Sequence, residues 1–471
     1  MNRVLADLKP EKVFSIFEDI CAIPHGSGNT KAISDFCVNF ARERGFDTYQ
    51  DEMNNVIIKK PASPGYEYSQ PVVLQGHLDM VCEKEPGLDF DFERDGLKLK
   101  LDSDFVSACG TTLGGDDGVA IAIALSILDD SALKTPPLEV IFTSDEETGM
   151  YGAKALDGSL ITAKRFISLD CGKEGAFTAG CAGGVCVDIK LPVKTEKVQK
   201  EAYKVEVSGL CGGHSGEEIH KGGLNANKVL GEFLSTLKEV RISKISGGDK
   251  DNAIPVYAYA VIDSTSDVVS MAREFRDKAV VPADRGLKIT VSRQTADTFC
   301  TSASSEKIID LLCALPFGVQ AMSKDIEGVV ETSLNVGVIG LESDTFSVLL
   351  NLRSSVASEK EALKGRVIAI GESFGGSVTT FGDYPAWQYR KDSPLRETVM
   401  TVFKETFGGT PEVRVIHAGL ECGIFSGKIA DIDAVAMGPD MFDIHTARER
   451  FSVSSLARTY TFVCKILEAL K

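Results

Sequence analysis

The sequence predicts an α/β domain, with a mixed sheet sandwiched by helices, and an α+β domain inserted into it. Short apolar strands alternate with helices in the first third of the 471-residue chain, and this pattern returns near its end. Continuous apolar strands are typical of a sheet that helices cover on both faces. Between these parts, strands alternate between apolar and polar residues, which favours a sheet with one open face. We therefore expect one domain at 1–186 plus 384–471 and an inserted domain at 187–383.

Each predicted element follows from local patterns of apolar and turn-forming residues. The first domain is predicted to begin with a helix over 10–44, broken by a loop at 21–29, a strand at 70–74, a helix at 119–128, and strands at 138–143 and 166–169. The insertion is predicted to contain strands at 203–207 and 254–260, helices at 224–240, 266–277, 306–315 and 359–374, and two similar halves joined near 293–305. After a linker at 381–394, the first domain is predicted to resume with a helix at 395–407, strands at 413–418 and 434–437, and a helix at 452–470.

Charge and composition disfavour several classes of partner. The chain has 51 Lys and Arg residues against 68 Asp and Glu residues, a net charge of −17, which repels phosphate backbones and anionic lipid. No apolar run reaches the length of a membrane span, and the first residues lack the apolar core of a signal peptide. The 12 cysteines are scattered without a CxxC pair, as in a protein with reduced thiols. We expect a cytoplasmic protein that binds neither nucleic acid nor membrane.

A histidine and an aspartate two residues apart follow the predicted strand at 70–74. In QGHLDM, His77 and Asp79 point to the same side if the backbone is extended. The carboxylate can then fix the tautomer of the imidazole, which is the usual arrangement behind a metal-bound histidine. The alternative is a surface loop that happens to hold both residues.

Two adjacent aspartates lie in a glycine-rich turn before the predicted helix at 119–128. In LGGDDGVA, glycines permit a tight backbone around Asp116 and Asp117, and the start of a helix favours negative charge. The alternative is a helix cap, a position at which Asp is common. The spacing does not decide which of the two aspartates would face a cation.

Three consecutive acids follow the apolar strand predicted at 138–143. In EVIFTSDEETG, the side chains of Glu146 and Glu147 point in opposite directions on an extended backbone. One of them can bind a metal ion while the other faces a substrate, although a solvated turn would also explain acidic residues here. The tight apolar strand and the following Gly149 favour a site at the edge of a cleft.

Asp170 and His445 complete a set of metal-ligand candidates. Asp170 ends the predicted strand at 166–169, and His445 lies in the loop FDIHTARER before the last helix. Together with His77, Asp116 and Glu147 they lie at strand ends or in neighbouring loops, where ligands converge in an α/β sheet. Three carboxylates and one hydroxide would balance two divalent cations and avoid an uncompensated buried charge. Mixed His and carboxylate donors suit zinc, and cobalt or manganese is compatible with them.

The motifs HxD, GGDDG and DEETG, the strand-end Asp170 and the late loop His445 occur in this order along the chain. In this order they resemble the dinuclear zinc peptidases, a family that includes carboxypeptidase G2-like enzymes and dipeptidases, and the resemblance spans nearly the whole sequence. The resemblance implies that His77 and Asp170 hold one metal ion and that Glu147 and His445 hold the other. It also implies that Asp116 bridges both ions.

The resemblance implies catalytic and substrate-binding roles for further residues. Asp79 would orient His77, and Glu146 would be the general base, since its position next to Glu147 lets it reach a water between the metal ions without being a ligand. His214 in CGGHSG would stabilise the developing oxyanion, within one chain or across a dimer. The implied substrate contacts are Asn252 in DNAIP, Arg353 at a strand end, where a guanidinium can pair with a carboxylate, and Gly419 in AGLECG.

The activity implied by the resemblance is metal-dependent hydrolysis of dipeptides, with Xaa-His type substrates favoured. The inserted domain would be a lid and the site of homodimer formation. An alternative keeps the same dinuclear site but removes the acyl group from N-acyl amino acids. A non-catalytic metal-binding or assembly protein is a further alternative, which the presence of Glu146 beside the ligands disfavours.

Overall fold

The computed structural model describes residues 3–471, which form two compact units. The first unit contains residues 3–180, Tyr389–Val415 and Leu420–Lys471, and the second contains Cys181–Gln388 and Ile416–Gly419. The domain boundaries expected at 186/187 and 383/384 stay predictions, and residues 1 and 2 of the first predicted domain lie outside the described residues. None of the helices between residues 3 and 471 combines the length and the apolar composition that crossing a bilayer requires.

The N-terminal part of the first unit alternates between helices and strands. Its elements are α1 (Glu11–Cys21), α2 (Lys31–Glu43), β1 (Asp47–Gln50), β2 (Val56–Lys60), β3 (Val72–His77), β4 (Leu99–Asp102), β5 (Phe105–Ala108), α3 (Gly115–Asp129), β6 (Leu138–Thr143), α4 (Tyr151–Ala155), β7 (Arg165–Ser168) and β8 (Ala176–Cys181). Helix α1 is amphipathic and buries Val13, Phe14, Phe17 and Ile20 on one face. Helix α3 is buried on nearly all sides, which explains its long apolar run.

The second unit begins at the end of β8 and contains long strands separated by helices. Its elements are β9 (Gly183–Pro192), β10 (Thr195–Ser208), α5 (Ala226–Ser235), β11 (Arg241–Gly247), β12 (Ala258–Asp263), α6 (Val268–Ala279), β13 (Lys288–Cys300), α7 (Ser302–Ala314), β14 (Gly318–Met322), β15 (Val330–Glu342), β16 (Thr345–Ser354), α8 (Ala357–Ser373) and β17 (Ser377–Tyr384).

The C-terminal part returns to the first unit and resumes the pattern of short strands between helices. Its elements are α9 (Pro394–Phe407), β18 (Glu412–Ile416), α10 (Glu421–Lys428), β19 (Asp433–Ala436), β20 (Met441–Phe442), β21 (Arg450–Ser452) and α11 (Val453–Ala469). Strand β21 pairs with β20 and β5, and β5 pairs with β4, so these strands form a small antiparallel sheet. The loop that carries His445 therefore leaves and re-enters this sheet.

The larger sheet of the first unit is mixed and lies between helices. Its strand order is β1-β2-β6-β3-β7-β19-β8-β18. Strand β3 is parallel to β6 and β7, and β19 is parallel to β7, whereas β1 pairs antiparallel with β2, β2 with β6, and β8 with β19. On one face, Val72 and Leu74 of β3 share a core with α1 and α3. On the other face, Phe166 of β7 packs against Phe425 of α10, with 5.0 Å between the ring centroids. The predicted α/β class is confirmed.

The second unit is an antiparallel sheet with helices packed on its buried face. The strand order is β13-β10-β12-β11-β15-β16-β9-β17, and β14 adds to β15. Along β16, Phe346, Val348, Leu350 and Leu352 are buried in a core that includes residues of α5 and α7. The residues that alternate with them are less buried, as the sequence pattern predicts for a half-covered sheet. The predicted α+β class of this part is confirmed.

Three predicted details of the second unit are wrong. The segment 293–305 does not join two halves, because β13 pairs with β10 up to Cys300, with one register shift between Lys197 and Lys200, and α7 begins at Ser302. The strand predicted at 254–260 begins only at Ala258. Pro255 has no N–H for a ladder, and its carbonyl accepts a hydrogen bond from Ala226 at 2.9 Å. The linker predicted from 381 begins later, because β17 continues to Tyr384 along β9.

Candidate metal centre

The parallel strands β6, β3 and β7 end at the same edge of the larger sheet, and candidate ligands follow each of them. His77 is the last residue of β3, Glu146 and Glu147 follow β6, and Asp170 follows β7. Since β3 pairs in parallel with both neighbours, the carboxyl ends of these strands are adjacent. The sheet therefore brings imidazole and carboxylate groups into one region of the first unit.

Asp116 reaches the same region from the start of α3. Gly114 before it has a left-handed φ of 66°, and Asp116 itself has non-helical angles, φ −85° and ψ 101°, so the chain turns before the regular helix begins. A cis peptide bond joins Asp116 to the next residue. Asp116 Oδ1 lies 3.1 Å from His77 Nε2, and Asp116 Oδ2 lies 3.5 Å from His445 Nε2. One carboxylate thus contacts both histidines.

The neighbouring Asp117 has a different environment. It is fully buried, and its Oδ2 accepts a hydrogen bond from the backbone N–H of His77 at 3.2 Å. This approach requires Gly76, because a Cβ at that position would lie 2.6 Å from Asp117 Oδ2. Burial raises the pKa of Asp117 well above its usual range. The geometry separates the two aspartates that the spacing left open: Asp116 faces the histidines, and Asp117 faces the backbone of β3.

His445 lies in the loop between β20 and β21, and its Nε2 is 2.8 Å from Glu147 Oε1. Within residues 3–471, groups of donor atoms from His, Asp and Glu occur in which all atoms lie within 4.8 Å of one another. These groups are His77–Asp116–Asp170, His77–Glu146–Glu147 and Asp116–Glu147–His445. The first and third groups share Asp116 and together contain the five residues predicted as metal ligands.

The charges of these side chains fit bound cations. Although burial lowers it, hydrogen bonds with Asp116 and Asp79 raise the pKa of His77 well above its usual range. Hydrogen bonds with Asp116 and Glu147 raise the pKa of His445 to about 10. Burial, followed by the charge of Asp116, raises the pKa of Asp170 to about 7. The carboxylates thus favour positive charge among them, and imidazole with carboxylate oxygen is a donor set that suits zinc and related divalent ions.

Asp79 contacts the backbone of the acidic loop as well as His77. Its carboxylate accepts hydrogen bonds from the N–H of Glu146 at 2.9 Å, the N–H of Glu147 at 3.3 Å and the hydroxyl of Ser27 at 2.7 Å. His77 Nδ1 lies 2.9 Å from the Asp79 carbonyl oxygen and 3.6 Å from Oδ1. The alternation of residues in an extended segment predicted only the contact with the imidazole. The contacts with Glu146 and Glu147 depend on the fold and were missed.

Glu146 lies among the ligand candidates in a partly buried position. Burial raises its pKa well above the usual range, His77 opposes this, and the negative charges of Asp170, Glu421 and Glu147 add to it. A carboxyl group can accept a proton as a carboxylate and release it again as an acid. The arrangement therefore has the chemistry of a proton-transfer group next to a set of metal-ligand candidates.

A buried polar network around Glu421 was also missed by sequence reasoning. Glu421 Oε2 accepts hydrogen bonds from Gln75 Nε2 and Thr143 Oγ1, each at 2.6 Å. Burial raises the pKa of Glu421 to about 8. Among the residues that the structure describes, Gln75 Oε1 and Glu421 Oε1 have no hydrogen-bond partner. Gln75 could have indicated this network from the sequence alone, because it is a polar residue inside an otherwise apolar strand.

His214 lies in the second unit, in the loop between β10 and α5. The N–H of Glu217 donates to His214 Nδ1 at 3.2 Å, so a neutral imidazole carries its proton on Nε2. Burial and the positive charge of Arg353 lower the pKa of His214. The next residue, Ser215, donates its N–H to the carbonyl oxygen of Asn252 at 2.8 Å. The loop thus holds an N–H donor beside the segment that carries Asn252.

Arg353 and Gly419 also belong to the second unit. Arg353 is 7% exposed, and its Nη1 donates to the Tyr384 hydroxyl oxygen at 3.1 Å. Its Nε has no hydrogen-bond partner within residues 3–471, so a buried guanidinium retains capacity for an anion. Gly419 follows His417, whose pKa is lowered to about 3 by burial and by Arg353. His214 and Asn252 therefore lie in adjoining loops, and Arg353 is close enough to His214 for its positive charge to lower the pKa of the imidazole.

Comparison with known proteins agrees with the predicted resemblance. Residues 73–469 match peptidase family M20/M25/M40. The chain is 36% identical over 479 residues to the cytosol non-specific dipeptidase of Escherichia coli (strain K12), which covers 99% of each chain. The crystal structure of aminoacylhistidine dipeptidase from Vibrio alginolyticus is similar with a TM-score of 0.93 and 33% identity, covering 99% of this chain and 98% of that one.

A more distant structure shares the fold. The aminopeptidase PepT from Bacillus cereus ATCC 10987 matches with a TM-score of 0.58 and 18% identity, covering 98% of this chain and 99% of that one. The family match covers most of the chain, and the E. coli relative is similar along its full length. The chain therefore belongs to peptidase family M20/M25/M40 and is a hydrolase of peptide bonds.

Proposed function

We propose that this enzyme hydrolyses dipeptides at a centre of two divalent metal ions in its first unit. The observation that carries the proposal is the pair of donor groups that share Asp116, with Glu146 next to the ligand candidate Glu147. The full-length relatives are named cytosol non-specific dipeptidase and aminoacylhistidine dipeptidase. These names support dipeptides as substrates and a preference for the Xaa-His type. Deacylation of N-acyl amino acids is not favoured, because neither name describes it.

The proposed ligands divide between the two ions as the donor groups divide. His77 and Asp170 hold one ion, Glu147 and His445 hold the other, and Asp116 is shared. Zinc is the proposed metal, and cobalt or manganese is compatible with the same donors. The carboxylates of Asp116, Glu147 and Asp170 supply most of the negative charge that two divalent cations need.

Proton transfer in the proposed mechanism belongs to Glu146. When bound, the divalent cations held by these residues would lower the pKa of water and polarise the scissile carbonyl group. A carboxylate oxygen of Glu146 accepts the proton of the attacking water and then donates it to the nitrogen of the leaving amine. The hydrogen bond from the Glu146 N–H to Asp79, at 2.9 Å, fixes the backbone from which this side chain projects.

The second unit supplies the groups proposed to bind the rest of the substrate. Arg353 binds the free carboxylate at the substrate's C-terminus, which limits the enzyme to short peptides. His214 donates its Nε2–H to the oxyanion that develops from the scissile carbonyl. Asn252 and Gly419 make further contacts with the substrate. The supporting observations are the buried guanidinium of Arg353 and the tautomer of His214.

The proposed activity predicts an order of rates in a substrate panel. The zinc-loaded protein is assayed with Xaa-His dipeptides, other dipeptides, C-terminally amidated dipeptides and N-acetyl amino acids. We expect the highest kcat/KM for Xaa-His dipeptides and a loss of about 10- to 100-fold on amidation, because Arg353 loses a charge-assisted partner. Chelation should abolish turnover, and added Zn²⁺ should restore it.

Two results of this panel would contradict the proposal. N-acetyl amino acids hydrolysed faster than every dipeptide would make the enzyme a deacylase. No turnover of any compound by protein with a verified metal content would indicate a non-catalytic metal-binding protein. A similar kcat/KM for free and amidated dipeptides would remove Arg353 from its proposed role.

We also propose that the enzyme is a cytoplasmic homodimer that pairs through its second unit. The name of the E. coli relative supports the location. The sheet of the second unit ends in β13 and β17, whose largely exposed residues leave strand edges available for pairing. Light scattering after gel filtration should give about twice the chain mass of 50.6 kDa. A mass equal to one chain at every concentration tested would contradict the dimer.

A further inference from the structure

Glu449 is a buried carboxylate that connects two distant segments of the first unit. It is 3% exposed and follows His445 by four residues. Its two oxygens accept hydrogen bonds from four consecutive backbone N–H groups. Oε2 accepts from Leu113 at 2.7 Å and Gly114 at 3.1 Å, and Oε1 accepts from Gly115 at 2.8 Å and Asp116 at 3.2 Å. The last of these donors belongs to the residue whose carboxylate contacts both histidines.

The two glycines before Asp116 have separate explanations, the backbone conformation for Gly114 and the contact with Glu449 for Gly115. Gly114 has a left-handed φ of 66°, which L side chains rarely adopt. A Cβ on Gly115 would lie 3.2 Å from Glu449 Oε1, tighter than most real contacts. Successive N–H groups that point to one place form a concavity for an anion. Here the anion is a side chain of the protein itself.

The same residue fixes the loop of His445. The N–H of Glu449 donates to the carbonyl oxygen of Thr446 at 3.0 Å, and the N–H of Thr446 donates to that of Asp443 at 3.2 Å. The turn from Asp443 to Thr446 contains His445, which has a left-handed φ of 63°, and the turn from Thr446 to Glu449 follows it directly. At the other end of the loop, Arg450 pairs with Asp443. The position of His445 is therefore coupled, through Glu449, to the backbone that carries Asp116.

A carboxylate is required for this contact. Both of its oxygens are acceptors, so it can face four N–H donors at once. The side chain of Gln has one acceptor oxygen, and its NH₂ group would meet two of the four N–H groups as donor against donor. Glu449→Gln therefore removes about half of the contact at nearly constant size.

We infer that Glu449 is a positioning residue that holds Asp116 and His445 in the mutual arrangement needed to bind a shared metal ion. The inference rests on the proposed function, because it takes both residues to be metal ligands. Loss of an outer partner that orients a metal ligand typically lowers metal affinity by about 10- to 100-fold. A purely structural role would instead lower stability and leave the affinity of the folded protein unchanged.

The experiment compares Glu449→Gln with Glu449→Asp and with the matched control Glu139→Gln. Glu139 is also buried in the first unit, at 4% exposure, and accepts hydrogen bonds from the N–H groups of Thr162 and Ala163, but it belongs to none of the donor groups. Each full-length protein is stripped with a chelator and titrated with Zn²⁺ by calorimetry, and its melting temperature is recorded.

We expect Glu449→Gln to weaken at least one Zn²⁺ site by about 10- to 100-fold, and Glu449→Asp to recover part of this loss because it keeps the charge. Glu139→Gln should bind Zn²⁺ like the unmodified protein even if its melting temperature falls as far. An unchanged affinity in Glu449→Gln, or an equal loss in Glu139→Gln, overturns the inference.

A variant that does not fold and two possible results with the unmodified protein also test the inference. If Glu449→Gln does not fold, the Zn²⁺ titration of Glu449→Asp decides: a site weaker than in the unmodified protein supports the inference, and an unchanged affinity overturns it. Unmodified protein that binds Zn²⁺ but cleaves no dipeptide contradicts the proposed substrate and leaves the inference intact. Unmodified protein that binds no divalent ion contradicts both.

Discussion

Replacing Glu146 by Gln is expected to reduce the kcat for a dipeptide by about 100- to 10,000-fold while the metal content stays unchanged. Gln keeps the size of the side chain but cannot accept a proton from water. The two donor groups that share Asp116 contain all five proposed ligands and do not include Glu146. The measurement is the rate of amino acid release, with zinc determined on the same sample by mass spectrometry.

The matched control for this change is Asp145→Asn. Asp145 lies in the same loop, and its Oδ1 accepts a hydrogen bond from the N–H of Gly28 at 2.6 Å, but it belongs to none of the donor groups within residues 3–471. This variant should retain most of its turnover. Full turnover in Glu146→Gln would contradict its role as general base. Loss of zinc together with turnover would show that Glu146 is a ligand.

The second large effect is expected from Asp116→Asn. The Asp116 carboxylate contacts both His77 and His445 and belongs to two donor groups. A neutral amide offers one weaker donor oxygen where two ions need a shared anion. We expect zinc to fall below two ions per chain, and turnover to fall by more than the about 10- to 100-fold that is typical for loss of an outer partner.

Asp129→Asn, at the other end of the same helix, is the control for Asp116→Asn. Asp129 forms partly exposed ion pairs with Arg44 and Lys12. Losing such pairs costs at most about 1 kcal/mol of stability and should leave the zinc content unchanged. An Asp116→Asn protein that still binds two ions per chain and turns over normally would contradict the shared ligand.

The fold class could be predicted because a strand that is buried on both faces appears in the sequence as a run of apolar residues. Strands β3 and β6 are buried at every position, and β6 occupies 138–143 as its apolar run predicted. The start of β12 could not be predicted, because it depends on partners far away in the chain. The N–H of Ile254 donates a hydrogen bond to the carbonyl oxygen of Gly213, and the carbonyl oxygen of Pro255 accepts one from the N–H of Ala226. Both bonds precede the first paired residue of β12.

The candidate site could be predicted in its residue types but not in its contacts. Imidazole and carboxylate groups at strand ends are a local pattern, and the order of strands then brings them together. The choice between Asp116 and Asp117 depends on the space above Gly76 and on the backbone of His77, 40 residues earlier. Glu449 was missed because it pairs with backbone N–H groups, which no particular side chain in the sequence marks.

The donor groups draw on residues from His77 to His445, and this span has a consequence for protein synthesis. A ribosome must translate His445 before the donor group Asp116–Glu147–His445 exists. On the proposed mechanism, a growing polypeptide that has not reached His445 has four of the five proposed ligands and lacks one that the second ion needs. Hydrolytic capacity therefore arises only after residue 445 has been translated.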